Sequence, residues 1–422
     1  MSRSDSAVWN NSDFVKLWMG QSISQFGAQI SLLALPLTAV QMLHATPFEM
    51  GMLRAFEYLP FLLFGLFAGL TIDRRGCRGV LIVSDLVRAL CLAVIPAAAL
   101  AGQLIIELLY LCAFVVGVAG VYFDVAYWSY LPSLVARDQI VDGNSKLSLS
   151  QSAAEAAGPG ASGLLIQLVS PPLAIMANAF SFLLSALSLV LIKRREKRRA
   201  AAPVDCGGRL IHDLTRGLVF IWREAILRSL LLRSTAWNLL YNLAMPVFLL
   251  YCMNTLKLSV SVIGMLFTAL GAGVVMSAFL MTTALSRFKV GTLICGSMLV
   301  AAAAVCGTAL PVSEPLLRNA LLMVCLGAIG LANGVYNISN VSLRQALTPP
   351  SLLGRMTAAM RFVSWGIMPL GALLSGVLGE RIGFTPTLLL VGCVGLLAAL
   401  FGLSGPVRHI AAVPEEPVAE LV

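Results

Sequence analysis

The chain has 422 residues, 59% of them hydrophobic and only 12% charged, with a formal net charge of +9. Soluble domains carry about 25% charged residues, so this composition excludes an ordinary soluble protein. The positive balance does not point to nucleic acid, because the arginines and lysines fall in short segments between long apolar runs, as in a membrane topology. Nine cysteines without paired spacing give neither a zinc site nor a disulfide framework. His44, His212 and His409 lie outside the apolar runs, so no metal site and no cofactor are expected within them.

In chain order, residues 1–13 form a polar leader that lacks the basic start and cleavage site of a signal peptide. The first span, from Phe14 to Val40, carries Gln21, Ser22, Ser24, Gln25 and Gln29. Five such residues facing lipid would be costly, so this helix is expected to face a protein interior or an aqueous cavity. Further spans are predicted near 50–72, 79–101, 105–132, 145–168 and 172–192. Between the second and third, the chain reads Gly69-Leu70-Thr71-Ile72-Asp73-Arg74-Arg75-Gly76-Cys77-Arg78. Charges at membrane depth cost several kcal/mol each, so this turn sits at a surface, and its arginines mark that surface as cytoplasmic. Gly76 permits the backbone reversal.

The pattern of Gly69, Asp73, Arg74, Gly76 and Arg78 resembles the loop signature of the major facilitator superfamily, with Thr71 and Cys77 departing from the usual leucine and basic residue. The resemblance implies an all-α integral membrane protein with 12 transmembrane helices in two six-helix pseudo-symmetric bundles. It also implies a loop that controls conformational switching, with Asp73 meeting the start of the eleventh helix near Gly354 and Arg355.

After the sixth span comes the basic run 193–199, a topology anchor, and then an amphipathic stretch from Arg209 to Arg228 expected to lie along the membrane surface. A second set of spans is predicted near 230–251, 259–284, 290–310, 316–344, 355–378 and 384–405. The resulting domains are a leader (1–13), a first bundle (14–192), a linker with an amphipathic helix (193–229), a second bundle (230–405) and a tail (406–422) that reads as disordered. Two proline motifs echo each other: Gly158-Pro159 with Gly163 interrupts the fifth span, and Pro369-Leu370-Gly371 interrupts the eleventh. The first looks like part of the fifth-helix motif of the superfamily's exporters, with Ser150 and Ala154 where that motif has glycines. The spans together resemble the branch that includes macrolide-efflux proteins and the enterobactin exporter. In the first span Ala28 follows Gly27 where that branch often has an acid.

Ionisable residues at membrane depth are functional candidates by default. Asp85 with Arg88, and Arg54 with Glu57, are i, i+3 couples that read as structural or gating pairs. Asp124 and Glu155 have no in-register cation on their own helices and are the proton-coupling candidates, although Arg88 can reach the depth of Asp124. Candidate cavity residues are Gln21, Gln25, Gln29 and Tyr127, with Trp237, Asn238, Tyr241 and Asn242 on the seventh span and Asn333, Tyr336 and Asn337 on the tenth. Some of these asparagines would instead bridge helices. An amide-rich, aromatic wall suits a medium-sized amphipathic organic molecule.

The predicted function is a secondary active exporter of such a compound (a drug, siderophore or other secondary metabolite), driven by proton antiport with alternating access. Its partners are the small molecule, protons and the lipid bilayer, with no nucleic acid, and it is expected to act as a monomer in the bacterial inner membrane. An importer or uniporter of the same fold is the alternative. A polytopic membrane enzyme is disfavoured, because paired aspartates and an intramembrane histidine are lacking, and no Walker sequence supplies an ATP motor. Arg3, Arg74, Arg75, Arg78, Arg137, the 193–199 run, Arg287, Lys289, Arg344 and Arg408 fall on one side, whereas Lys257, Arg318 and Arg381 fall on the other. This asymmetry predicts that both termini are cytoplasmic. Alkaline phosphatase fused after Val422 is therefore expected to be inactive and a fusion near Arg318 active; high activity at Val422 would overturn the layout.

Overall fold

A backbone amide in hydrocarbon has no water to bond, so a chain this apolar must close its hydrogen bonds inside helices. The computed structural model describes residues 8–136, 139–193, 208–349, 352–403, 407 and 410; the side chains at 66–67, 69–75, 128, 141, 208–213, 282 and 402–403 lie outside the description. Six long helices come first: α1 (Ser12–Leu43), α2 (Pro47–Arg75), α3 (Cys77–Leu100), α4 (Ile106–Leu134), α5 (Ile140–Val169) and α6 (Pro171–Val190). The linker helix α7 (Gly208–Arg223) precedes α8 (Ala225–Leu250), which widens into a π-helical turn at Tyr251–Thr255. Then follow α9 (Val260–Arg287), α10 (Val290–Thr308), α11 (Pro315–Leu347), α12 (Leu353–Gly366), α13 (Met368–Arg381) and α14 (Phe384–Leu403).

Among the described residues, 10 helical stretches are long and apolar enough to cross a membrane, with α12 and α13 counting as one. Helices α2 and α5, of 29 and 30 residues, also exceed the roughly 20 residues a span requires. Their polar content, Glu49, Arg54 and Glu57 on α2 and the serine-rich first half of α5, lowers their hydropathy. Taken with these two, the arrangement is consistent with twelve spans.

Local chemistry sets the helix boundaries. The Asn11 carboxamide oxygen accepts from the Asp13 and Phe14 N–H groups at 3.1 and 3.2 Å, capping α1. Pro171 and Pro315 begin α6 and α11, where the missing N–H costs nothing. Between α2 and α3 the connection is the single residue Gly76, at φ 81°, a conformation that disfavours side chains.

The chain divides into two compact units. The first comprises Met1–Ala45, Phe56–Asp205 and Val260–Gly264; the second comprises Thr46–Ala55, Cys206–Ser259 and Met265–Val422. In the first, α1 packs on α5 and α6, and α3 packs on α4 and α6. The α1–α6 seam is built from small residues that let backbones approach. A Cβ on Gly27 would collide with the Ser181 and Asn178 side chains, and one on Gly20 with Ser188. Polar groups then stitch the seam, Gln21 donating to Ser185 at 3.1 Å and Asn178 to Ser31 at 2.6 Å. One end of this unit is sealed by a core that includes Val8, Phe14, Leu134, Leu189 and Ile192.

In the second unit, α10 packs on α11 and α14, α13 on α8, and α12 on α7 and α8. The amphipathic linker stretch thus docks onto a helix bundle: Gly217 abuts the Arg355 carbonyl, and Ile221 joins Met356, Ala359 and Met360 in the core. The expectation of disorder from Pro406 onward does not hold at Val407 and Ile410, and the rest of the tail lies outside the described residues. Val407 is fully buried in that core, and the Ile410 carbonyl accepts from the Gly291 N–H at 3.2 Å. These two apolar residues interrupt a stretch otherwise rich in proline and glutamate, and burial outweighs the local polarity.

Overpacking the α1–α6 seam should be costly, by about 1–3 kcal/mol. Gly27→Leu is expected to lower the melting temperature in detergent, whereas Gly79→Ala, with nothing within 4 Å of the added Cβ, should leave it unchanged or raise it. Equal melting temperatures for the two variants would rule out the tight seam.

Candidate functional site

In the first unit the charges gather on α3 and α4. Asp85 is fully buried and pairs with Arg88 one turn on. The Arg88 guanidinium lies between two rings, 4.1 Å from the centroid of Phe123 on α4 and 4.2 Å from that of Phe182 on α6. The cation thereby meets the negative π-density of two rings, which offsets the loss of water. The Ser185 hydroxyl, which accepts from Gln21, also acts on Asp85, so polar groups of α1, α6 and α3 gather here. Asp124, exposed on α4, acts electrostatically on Arg88 as a second anion. Tyr127 is buried and stacks on Phe123 with centroids 6.0 Å apart.

Glu155 is exposed on α5, where Gln151 one turn earlier donates to its carboxylate at 2.9 Å. Pro159 lies four residues on and has no N–H for the Glu155 carbonyl. In contrast to the interruption expected there, α5 runs on unbroken through Gly158 and Pro159. The Ser162 hydroxyl donates to the Gly158 carbonyl at 2.6 Å. Gly158 leaves room for the half-buried Gln29 side chain of α1, which a Cβ would strike. Gly163 meets the first turn of α9, where an added Cβ would lie 2.9 Å from the Gly264 Cα. Ser150, at a position where exporters of the resembling motif have glycine, accepts from the Trp18 indole of α1 at 2.7 Å. Gln25 is half-buried on α1, and Arg54 and Glu57 are half-buried on α2.

The Gly69–Arg78 segment contributes Arg78, which donates to the Leu189 and Val190 carbonyls at 3.0 and 2.8 Å. These are the last carbonyls of α6, that of Leu189 also accepting from the Ile192 N–H, so the cation sits at the negative end of that helix. The side chains of Gly69, Asp73 and Arg74 lie outside the described residues.

In the second unit the proline of the eleventh span does break the helix, and α12 ends at Gly366 before α13 starts at Met368. Asn238 of α8 donates to the Ser364 carbonyl at 2.9 Å, beside the break, and Asn242 donates to the Asn238 carbonyl at 2.9 Å. Tyr336 of α11 is buried, stacked on Trp237 with centroids 5.0 Å apart. Its hydroxyl meets Ser234 at 3.1 Å and Asn340 at 2.9 Å. Asn333 is half-buried and Asn337 exposed on the same helix. Beside the stack, an apolar pocket is lined by Trp237, Tyr241, Met245, Met298, Ile329 and Val391. No group of three or more histidine, cysteine, aspartate or glutamate side chains among the described residues is placed to hold a metal.

Two signals escaped the sequence reading. The aromatic clamp on Arg88 is assembled from Phe123 and Phe182, which are far apart in sequence. Arg78 was read as a cytoplasmic charge of the switching loop, although its spacing from Gly76 puts it in the first turn of α3, near the end of α6.

Residues 4–421 match the model of a family described as transmembrane secretion effector, of the MFS type. The chain is 24% identical to the uncharacterized MFS-type transporter YfiS of Bacillus subtilis, over 94% of both chains. It is 21% identical to macrolide efflux protein A of Streptococcus pyogenes, over 92% of this chain and 94% of that one. It is 26% identical to the multidrug efflux pump Tap of Mycolicibacterium fortuitum, over 82% of this chain and 85% of that one. Among solved structures, a bacterial homologue of the iron transporter ferroportin in an inward-facing state superposes with a TM-score of 0.69, at 15% identity, covering 93% of this chain and 98% of that one. The nucleoside transporter NupG superposes with a TM-score of 0.68, at 13% identity, over 93% and 98%. These two establish the fold alone.

The Asp85–Arg88 pair should behave as a buried unit. Asp85→Asn leaves a buried cation without its main partner and is expected to cost about 3–5 kcal/mol, whereas Asp85→Asn combined with Arg88→Gln should recover much of this. Thermal melts of the three variants in detergent check the coupling; additive losses would disprove it.

Proposed function

Because the chain belongs to the transmembrane secretion effector family of the major facilitator superfamily, we propose that it exports a medium-sized amphipathic organic compound by proton antiport with alternating access. Membership makes it a multi-pass membrane transporter, and the efflux proteins among its relatives support export. The observation that carries the proton reading is the pair of exposed carboxylates on α4 and α5. Asp124 acts on Arg88, whose charge is already engaged by Asp85. Glu155 sits one turn before Pro159 and is hydrogen-bonded only by a neutral amide among the bonds described at it. A carboxylate in such a place can take up a proton when water reaches it from one side and release it to the other.

The driving force follows from what the chain lacks. Without a nucleotide loop in the sequence, an ion gradient is the energy source, and about 100 mV across a bacterial inner membrane supplies roughly 2.3 kcal/mol per charge moved. The substrate class is a drug, siderophore or other secondary metabolite. The protein works as a monomer in the inner membrane with both termini in the cytoplasm, and the Gly69–Arg78 loop, through Asp73, governs switching between access states.

Glu155→Gln keeps shape and hydrogen bonding but cannot titrate. In inverted vesicles it is expected to bind substrate yet lose gradient-driven accumulation, and Asp124→Asn should show a milder loss. Accumulation by Glu155→Gln with unchanged pH dependence would move the proton elsewhere. Accumulation by the wild type that is indifferent to the gradient would replace antiport with a uniporter.

A further inference from the structure

We propose that Cys91 and Cys112 form a dithiol site at the seam of α3 and α4, which reacts with small apolar disulfides reaching it from the bilayer and closes into an intramolecular disulfide. The export reading uses neither residue, so the two stand or fall separately.

The cysteines come from facing helices. Across the packed seam of α3 and α4, the Cys112 thiol donates to the Cys91 carbonyl at 3.4 Å. Each thiol also acts on the other. Neither is in a disulfide; Cys112 is buried and Cys91 half-buried. The rest of α4 explains why Cys112 points this way. Tyr110 and Phe114 both meet Phe56 of α2, with ring centroids 5.3 and 6.3 Å apart. Gly117 continues that face, since an added Cβ there would lie 2.8 Å from the Glu57 carbonyl. Two residues along a helix are a turn of about 200°, so Cys112 stands opposite Tyr110 and Phe114. The aromatic face of α4 is seated on α2, and its other side brings the thiol to α3.

A single buried cysteine is a small apolar filler. Where this unit needs only a small polar residue at a helix contact it uses serine, as along α1 and α6. Two cysteines in contact across a seam have a chemistry that fillers lack, because one sulfur can displace what has bonded to the other.

The surroundings select the reagent. Cys91 lies about 14 Å along α3 from its end at Leu100, and Cys112 about 9 Å along α4 from its start at Ile106. A charged compound does not readily enter hydrocarbon to such depth. The chain neighbours Leu90 and Leu111 are 71% and 59% exposed, so the dithiol sits just inside an apolar rim that faces lipid in a membrane. A reagent coming through that rim is uncharged and apolar.

The half-buried Cys91 reacts first. Its sulfur bonds to one sulfur of the reagent disulfide, the reagent S–S bond breaks, and the released half leaves as a thiol carrying the Cys91 proton. The Cys112 sulfur then attacks the Cys91 sulfur of this mixed disulfide, and the second half leaves as a thiol with the Cys112 proton. One reagent disulfide is reduced to two thiols while two protein thiols are oxidised to one disulfide. The product carries no charge, so membrane depth does not oppose it. It pins α3 to α4 one turn past Arg88, holding in register the seam that carries the Arg88 contact with Phe123.

Dipyridyl disulfide is a suitable probe, being neutral with halves that leave readily. With the full chain in phosphatidylcholine nanodiscs, peptide maps are expected to show Cys91 linked to Cys112 and no pyridylthio group retained on either. Cys112→Ala removes the second attacking thiol, and Cys91 should then retain one pyridylthio group. Cys91→Ala should leave the buried Cys112 unmodified. The dianionic dithiobis(nitrobenzoate), equally reactive in water, should link the pair far more slowly. A pyridylthio group retained on Cys91 of the unsubstituted chain, or both thiols left unmodified, would overturn the dithiol, and this result requires no variant to fold. Equal rates with the neutral and the dianionic reagent would overturn the route through the bilayer.

Discussion

Hydrocarbon offers backbone carbonyls nothing to bond, and this constraint explains where the sequence spends its few strong donors. The carbonyls left open at helix ends and breaks are met by side chains distant in sequence. Arg78 reaches the end of α6 at the Leu189 and Val190 carbonyls. Asn238 reaches Ser364 beside the gap between α12 and α13. Asn11, while capping its own helix, donates to the Leu134 carbonyl at the end of α4 at 2.9 Å. In each case one polar residue fixes a helix terminus and ties it to another helix, so satisfying the backbone and choosing the tertiary arrangement are one event.

The two units solve the problem of buried polarity differently. The first confines it to an ion pair shielded by rings and linked to hydroxyl and amide groups, with exposed carboxylates nearby. The second uses amides, a tyrosine and arginines, and has no acid within its spans.

Much of the fold was legible because its signals are local. Apolar runs gave the helices, Gly76 gave the one-residue turn, and the amphipathic stretch after Gly208 gave the linker helix. What escaped depends on contacts between distant residues. Nothing adjacent to Arg88 announces Phe123 and Phe182. Gln21 was placed among the cavity candidates by composition, and the structure shows it bonded to Ser185 inside a helix seam, because one amide per turn does not reveal which face a glycine-bearing helix presents. Pro159 and Pro369 looked alike as motifs. The first stays within a continuous helix with Ser162 donating to Gly158, and the second stands at a true break.

The way each core is closed has a consequence for synthesis. In the first unit the sealing cluster joins Val8 and Phe14 to Leu189 and Ile192. It can therefore be completed as soon as about 190 residues have been made, before any helix of the second half exists. In the second unit the corresponding cluster includes Val407 and Ile410 beside Val290 and Ile294. That core stays open until almost the whole chain has left the ribosome. The sealing core of the first half should thus be complete during translation, whereas that of the second waits for its last anchor.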